Sequence, residues 1–143
     1  PLPGLLCLRE LWGGESEESE ALRAAVEETR ATAQLPDIPV LIIHGRNDGL
    51  IPVALSSRPY VQEARGHGAR LAYWEVEQVQ HFDALLGAPG VTGRYVPLIP
   101  YAWAGLDRVR EILAGRTGLG KDRRIHPVPA PAGRALEEVD LGL

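Results

Sequence analysis

The sequence contains no methionine, one cysteine (Cys7), one phenylalanine (Phe82) and one lysine (Lys121). A single cysteine cannot close an internal disulfide, so a disulfide-stapled secreted mini-domain is excluded, while the compartment stays open. No stretch approaches the ~20 consecutive apolar residues that cross a bilayer as a helix. Basic residues do not prevail either: 15 Lys and Arg stand against 19 Asp and Glu, a net charge of −4. That balance argues against non-specific nucleic-acid binding, which needs a basic surface. The four histidines show no H-x-x-x-H spacing and there is no C-x-x-C, so no metal site is expected. Neither G-x-G-x-x-G nor a P-loop is present, and no cofactor is implied. Without an initiator methionine, Pro1 is not expected to be a translation start. All basic residues but Lys121 are Arg, beside 16 Gly and 12 Pro. We read this as the codon bias of a GC-rich genome, a mark of source rather than function.

What is present is a globular composition, 45% hydrophobic and 24% charged over 143 residues, enough for one domain. Residues 1–14 are short and apolar, with Leu5, Leu6, Leu8, Leu11 and Trp12, and are expected to pack on something. Residues 16–33 read as an amphipathic helix. Ser16 is its N-cap, Glu17, Glu18 and Glu20 face the positive end of the helix dipole, and Leu22, Ala25, Val26 and Thr29 share a face. The prolines around Ile38 stop it. Val40-Leu41-Ile42-Ile43 is a continuous apolar run, as in a strand buried on both faces of a parallel sheet. A helix over 53–67, with Ser56 or Ser57 as its cap, and a strand over 71–76 complete a βαβ unit. A second helix spans 98–114, with Pro100 in its first turn. From 119 the chain is polar and then Pro/Ala-rich, and is expected to be a poorly ordered tail. Two parallel strands do not make a stable sheet, and the sequence supplies at most one neighbour for Val40 to Ile43. The expectation is therefore the C-terminal portion of a larger α/β domain, covering 1–118, with 119–143 as the tail.

In open α/β sheets, function collects beyond the carboxyl ends of the strands. The two such loops hold Asp48 and His81. An acid and a histidine on consecutive strand ends can lie side by side. The acid then orients the imidazole, and the histidine serves as general base toward a hydroxyl nucleophile. Acid before histidine is the order of the α/β-hydrolase triad, in which the serine comes earlier. The serines here are Ser16, Ser19, Ser56 and Ser57, and none lies in G-x-S-x-G. The nucleophile is expected upstream of this chain. Taken singly, Asp48 could be a turn former and His81 a structural hydrogen-bonder. Asp83 is the rival acid, but a residue two positions from His81 usually points elsewhere. His44, at the end of the first strand, is expected to hydrogen-bond locally, outside the chemistry.

His44-Gly45-Arg46-Asn47-Asp48-Gly49-Leu50-Ile51-Pro52-Val53, Ser57-Arg58-Pro59-Tyr60, Tyr73-Trp74-Glu75-Val76-Glu77, Gln80-His81-Phe82-Asp83-Ala84 and Arg94-Tyr95-Val96-Pro97-Leu98 resemble the D-(−)-3-hydroxybutyrate oligomer hydrolases, a family of bacterial serine esterases. The similarity runs from about residue 5 to 127, Leu11-Trp12-Gly13 included. It implies an α/β-hydrolase fold and hydrolysis of short 3-hydroxybutyrate oligomers to monomer during polyhydroxybutyrate degradation. Asp48 and His81 match the family's charge-relay positions. The substrate is then a small ester, and the chain alone is expected to be inactive, lacking serine and oxyanion hole. A carboxylesterase of tannase or feruloyl esterase type, and a non-catalytic α/β binding module, are the other readings. An in-frame G-x-S-x-G upstream would separate an enzyme from the last.

Overall fold

The computed structural model describes residues 2–130 and 134–143. The chain forms two compact units, Pro1–Thr32 and Ala33–Leu143.

In the first unit, α1 (Leu2–Gly13) packs against α2 (Glu17–Thr29). The apolar N-terminal stretch is thus a helix. Leu and Arg are good helix formers, and Pro3 falls in the first turn, where its missing N–H leaves no bond unmade. Ser16 is the N-cap of α2, accepting from Ser19 N–H at 3.3 Å. The Ser16 hydroxyl also holds the Glu18 carboxyl below its ordinary value. Arg23 donates from one guanidinium nitrogen to the carbonyls of Trp12 (2.9 Å) and Gly14 (2.8 Å), satisfying acceptors at the carboxyl end of α1. Leu2, Leu5 and Leu8 stay exposed.

The second unit is a three-stranded, all-parallel sheet in the order β1 (Val40–Gly45), β2 (Leu71–Val76), β3 (Arg123–Ile125). The register runs from Val40 opposite Leu71 to Gly45 opposite Val76, and from Trp74 opposite Arg123 to Val76 opposite Ile125. Strand residues alternate between faces. Leu41, Ile43, Trp74 and Val76 join Tyr101 of α4 (Ile99–Leu113), Ile125 and Leu141 in one cluster. Val40, Ile42, Leu71 and Tyr73 join Val61 and Ala64 of α3 (Ser57–Gly66) in another. Helix α4 comes close to β1 because Gly105 has no side chain. A Cβ there would sit 2.6 Å from Ile43 Cδ1.

Two expectations differ from this arrangement. The strand buried along its whole length is β2, not β1, whose residues before Gly45 are half-covered. The reason is position: β2 lies between two neighbours, whereas β1 has one, as its sequence context suggested. The stretch after residue 119 supplies β3, and Leu141 packs in the core, where its carbonyl accepts from Tyr101 O–H at 3.0 Å. Burial pushes the Tyr101 phenol up to about 12. A strand of three residues, two of them exposed arginines, carries no periodicity that would reveal it beside the Pro/Ala-rich composition. Pro131, Ala132 and Gly133, also assigned to the tail, lie outside the described residues. Among the described residues no helix is long and apolar enough to cross a membrane.

Candidate active site

The carboxyl ends of β1 and β2 are drawn together before any titratable group is considered. Arg46 N–H donates to the Val76 carbonyl (2.7 Å) and Asn47 N–H to the Val79 carbonyl (3.2 Å). The Asn47 side-chain oxygen accepts from Gln78 N–H at 2.8 Å. Gln78 has a φ of 56°, so the chain reverses sharply after β2. This close approach requires Gly45. A Cβ on it would lie 2.6 Å from the Val79 carbonyl oxygen and 2.7 Å from Val79 Cγ1.

Within that frame Asp48 is buried and His81 is half-buried. Leu50 N–H and Ile51 N–H donate to Asp48 Oδ1 at 2.9 and 2.8 Å, an Asx turn closed on its own loop. Asp48 Oδ2 lies 2.8 Å from His81 Nδ1. Burial pushes the Asp48 carboxyl up, but the bonds from Ile51 N–H, His81 and Leu50 N–H together outweigh it and hold the group below its ordinary value. An ionised carboxylate has no proton to donate, so Nδ1 of His81 carries the hydrogen and Nε2 is the free acceptor. Nε2 has no hydrogen-bond partner among the described residues. The ring also packs edge-on against Phe82, centroids 4.6 Å apart.

His81 borders a cavity of about 430 Å³, lined among others by Leu50, Phe82, Leu85, Val91 and Tyr95. A larger hollow of about 550 Å³ sits by Trp74, Arg108 and Lys121 and contains neither member of the pair. We take the former as the candidate substrate cavity, because His81 lines it beside apolar side chains; a smaller hollow of about 230 Å³ lies at the pair itself, lined by His44, Asp48 and His81.

Asp83, the rival acid, is engaged elsewhere. Its two carboxylate oxygens accept from Leu98 N–H (2.7 Å) and Ile99 N–H (3.0 Å), the first turn of α4. It serves as a distant N-cap for that helix. Ser56 occupies the N-cap position of α3, as one of the two expected caps, but neither its hydroxyl nor that of Ser57 makes a capping bond. Ser56 O–H donates to the Pro52 carbonyl, and the Ser57 hydroxyl lies between His44 Nδ1 (2.7 Å) and Tyr73 Oη (2.6 Å). His44 Nε2 in turn approaches Asp48 Oδ2 at 3.4 Å. The His44 and Tyr73 partners of Ser57 lie 13 and 16 positions away in sequence, and no local pattern announces them. Both imidazoles approach one carboxylate oxygen, and among the described residues no set of three His, Cys, Asp or Glu could hold a metal ion.

Beside the pair, on β2, Glu75 is clamped by Arg58 (2.5 and 2.7 Å) and Arg46 (2.6 Å). The Arg58 hydrogen bonds, and after the opposing effect of burial those of Arg46, hold its carboxyl at about 2.

The profile of the 3HB-oligomer hydrolases matches residues 1–139. This chain belongs to the 3HB-oligomer hydrolase family. It is 40% identical over 132 residues to the D-(−)-3-hydroxybutyrate oligomer hydrolase of Azoarcus sp. (strain BH72), covering 88% of this chain and 19% of that protein. The enzyme of the same name from Cupriavidus pinatubonensis is 39% identical over 130 residues, covering 88% and 18%. A third, from Cupriavidus necator, is 39% identical over the same length and coverage. The chain thus spans about a fifth of the length of the curated 3HB-oligomer hydrolases it matches. No solved structure gives a significant match.

Proposed function

We propose that this chain is the acid–histidine portion of a serine esterase with an α/β-hydrolase fold, in which residues 1–118, with β3 packed on them, form the C-terminal part of the catalytic domain. The whole protein cleaves short 3-hydroxybutyrate oligomers to the monomer in polyhydroxybutyrate degradation. The observation that carries the proposal is the 2.8 Å Asp48–His81 pair, with His81 lining a cavity with apolar walls. The names of the relatives support the substrate, and the strand-end positions and the order acid before histidine support the reaction class.

In the proposed reaction, His81 Nε2 takes the proton of a serine hydroxyl contributed by chain outside these 143 residues. The serine oxygen adds to the ester carbonyl. His81 then passes the proton to the departing 3-hydroxyl oxygen, leaving an acyl-serine. Water, deprotonated in the same way by His81, releases the acid and restores the serine. Asp48 stays ionised throughout, fixes the tautomer of His81 and stabilises the imidazolium formed at each transfer. The methyl-bearing backbone of a 3-hydroxybutyrate unit suits walls formed by Leu50, Phe82, Leu85 and Val91. Among the described residues no nucleophile stands beside His81, and on this reading residues 1–143 alone are inactive.

The test is the product of the complete reading frame, treated with a fluorophosphonate and mapped by mass spectrometry. The proposal expects hydrolysis of the 3-hydroxybutyrate dimer, lost in step with labelling of one serine outside residues 1–143. Absence of any serine label, with turnover untouched, would contradict it.

A further inference from the structure

Asp48 is approached by a second imidazole, which the proposed reaction does not use. His44 Nε2 lies 3.4 Å from the same Oδ2 that binds His81, and the His44 side chain is largely buried. Its other nitrogen is 2.7 Å from the Ser57 hydroxyl, which lies 2.6 Å from the Tyr73 phenol. The four groups come from β1, the loop after it, the start of α3 and β2. Their hydrogens can be placed in one consistent direction. Asp48, as a carboxylate, can only accept, so Nε2 of His44 carries a hydrogen toward it. In neutral His44, Nδ1 is then an acceptor and takes the Ser57 O–H. The Ser57 oxygen in turn accepts from Tyr73 O–H. Burial raises the Tyr73 phenol above its ordinary value, which keeps that terminal donor protonated.

Resting on the esterase reading above, we infer that His44 is a positioning residue for Asp48, held in its tautomer and rotamer by Ser57 and Tyr73. Oδ1 of Asp48 is fixed by its own loop through Leu50 and Ile51. Oδ2, the oxygen that matters to His81, has no backbone donor among the described residues and takes its second polar neighbour from His44. The Ser57–His44–Asp48 series has the membership of a catalytic triad but reversed nitrogens. The serine sits on Nδ1 and the acid on Nε2, and the serine is occupied by Tyr73. Ser57 is therefore a holder and not a nucleophile.

The test uses the complete gene product and the 3-hydroxybutyrate dimer, with Asp48→Asn run alongside. His44→Leu should lower kcat about 10-fold with KM within about twofold, well short of the roughly 10³–10⁴-fold expected for Asp48→Asn. His44→Gln, whose amide nitrogen can stand where Nε2 stands, should recover most of that loss; a bulk-packing role would not separate Leu from Gln in this way. Ser57→Ala should give a smaller loss in kcat than His44→Leu. If His44→Leu fails to fold, His44→Gln and Ser57→Ala still decide, since the first must stay near wild type and the second must fall. The inference is overturned, with the esterase reading intact, if Asp48→Asn is crippled while His44→Leu has wild-type kcat, or if Gln is no better than Leu. It is also overturned if Ser57→Ala abolishes turnover, which would make Ser57 the nucleophile. If Asp48→Asn retains turnover, both fall together.

Discussion

The loops that follow β1 and β2 meet at the carboxyl end of the same sheet, yet they are built to opposite specifications. The β1 loop encloses its candidate acid. Asp48 is buried, its N–H donates to the Gly45 carbonyl at 3.1 Å, and its carboxylate accepts from two N–H groups of its own loop. The β2 loop buries its base, Val79, and is tied down by Val96 N–H on the Gln78 carbonyl at 2.8 Å, but it leaves the tip half-open. His81 there has Asp48 and the exposed Phe82 ring for company. Such a division of labour suits an acid that must stay charged and still, and a base that must reach substrate and exchange protons. It also makes the pair asymmetric. The acid's orientation does not depend on the base, whereas the base's orientation depends on the acid and on the contact between loops.

That asymmetry can be broken at several points in the complete protein. The largest effect is expected at His81→Ala, which should abolish dimer turnover, because no other described group is placed to take the serine proton; the fold, followed by circular dichroism, should be unchanged. Gly45→Ala comes next. Its methyl group collides with the Val79 backbone, so the β2 loop must shift and carry His81 with it. A displacement near 1 Å should cost about 10²-fold in kcat, with the Asp48 turn intact, measurable by steady-state kinetics beside a crystal structure. Glu75→Gln tests the scaffold between the loops and should lower stability by about 1–2 kcal/mol in urea unfolding, a figure reduced for the partly exposed arginines. The sign follows from the folded carboxyl lying at about 2 against an ordinary 4.5. Its contribution is complete above about pH 4.5 and drains away as the pH falls toward 2, so wild type and Glu75→Gln should converge in stability at acid pH. The smallest effect is expected at Asp83→Ala, which removes the distant cap of α4 and should cost about 1 kcal/mol while kcat stays within about threefold.

How much of this was legible in the sequence depended on how local the cause was. The N-cap Ser16, the βαβ unit and the placement of Asp48 and His81 on consecutive strand ends all follow from short-range patterns, and the structure has each of them, whereas the helix expected to run to residue 33 and be stopped by the prolines already ends at Thr29. Asp83 could be set aside on the argument that a neighbour of His81 points away, and its carboxylate does bind α4 instead. What could not be seen was decided at long range. β3 is three residues held by pairing with β2, and Leu141 reaches the core from the far end of the chain. The hydroxyl of Ser57 looked like a cap because capping is what a serine at a helix start usually does. Only the fold reveals that His44 and Tyr73 have claimed it.

The central claim is that Asp48, not Asp83, is the acid that serves His81 in an ester hydrolase. It is tested most directly by kcat for the 3-hydroxybutyrate dimer in Asp48→Asn and Asp83→Asn variants of the complete protein. The account predicts a loss of roughly 10³–10⁴-fold for Asp48→Asn, with KM little changed, and near wild-type turnover for Asp83→Asn. Wild-type turnover in Asp48→Asn together with a crippled Asp83→Asn would contradict it.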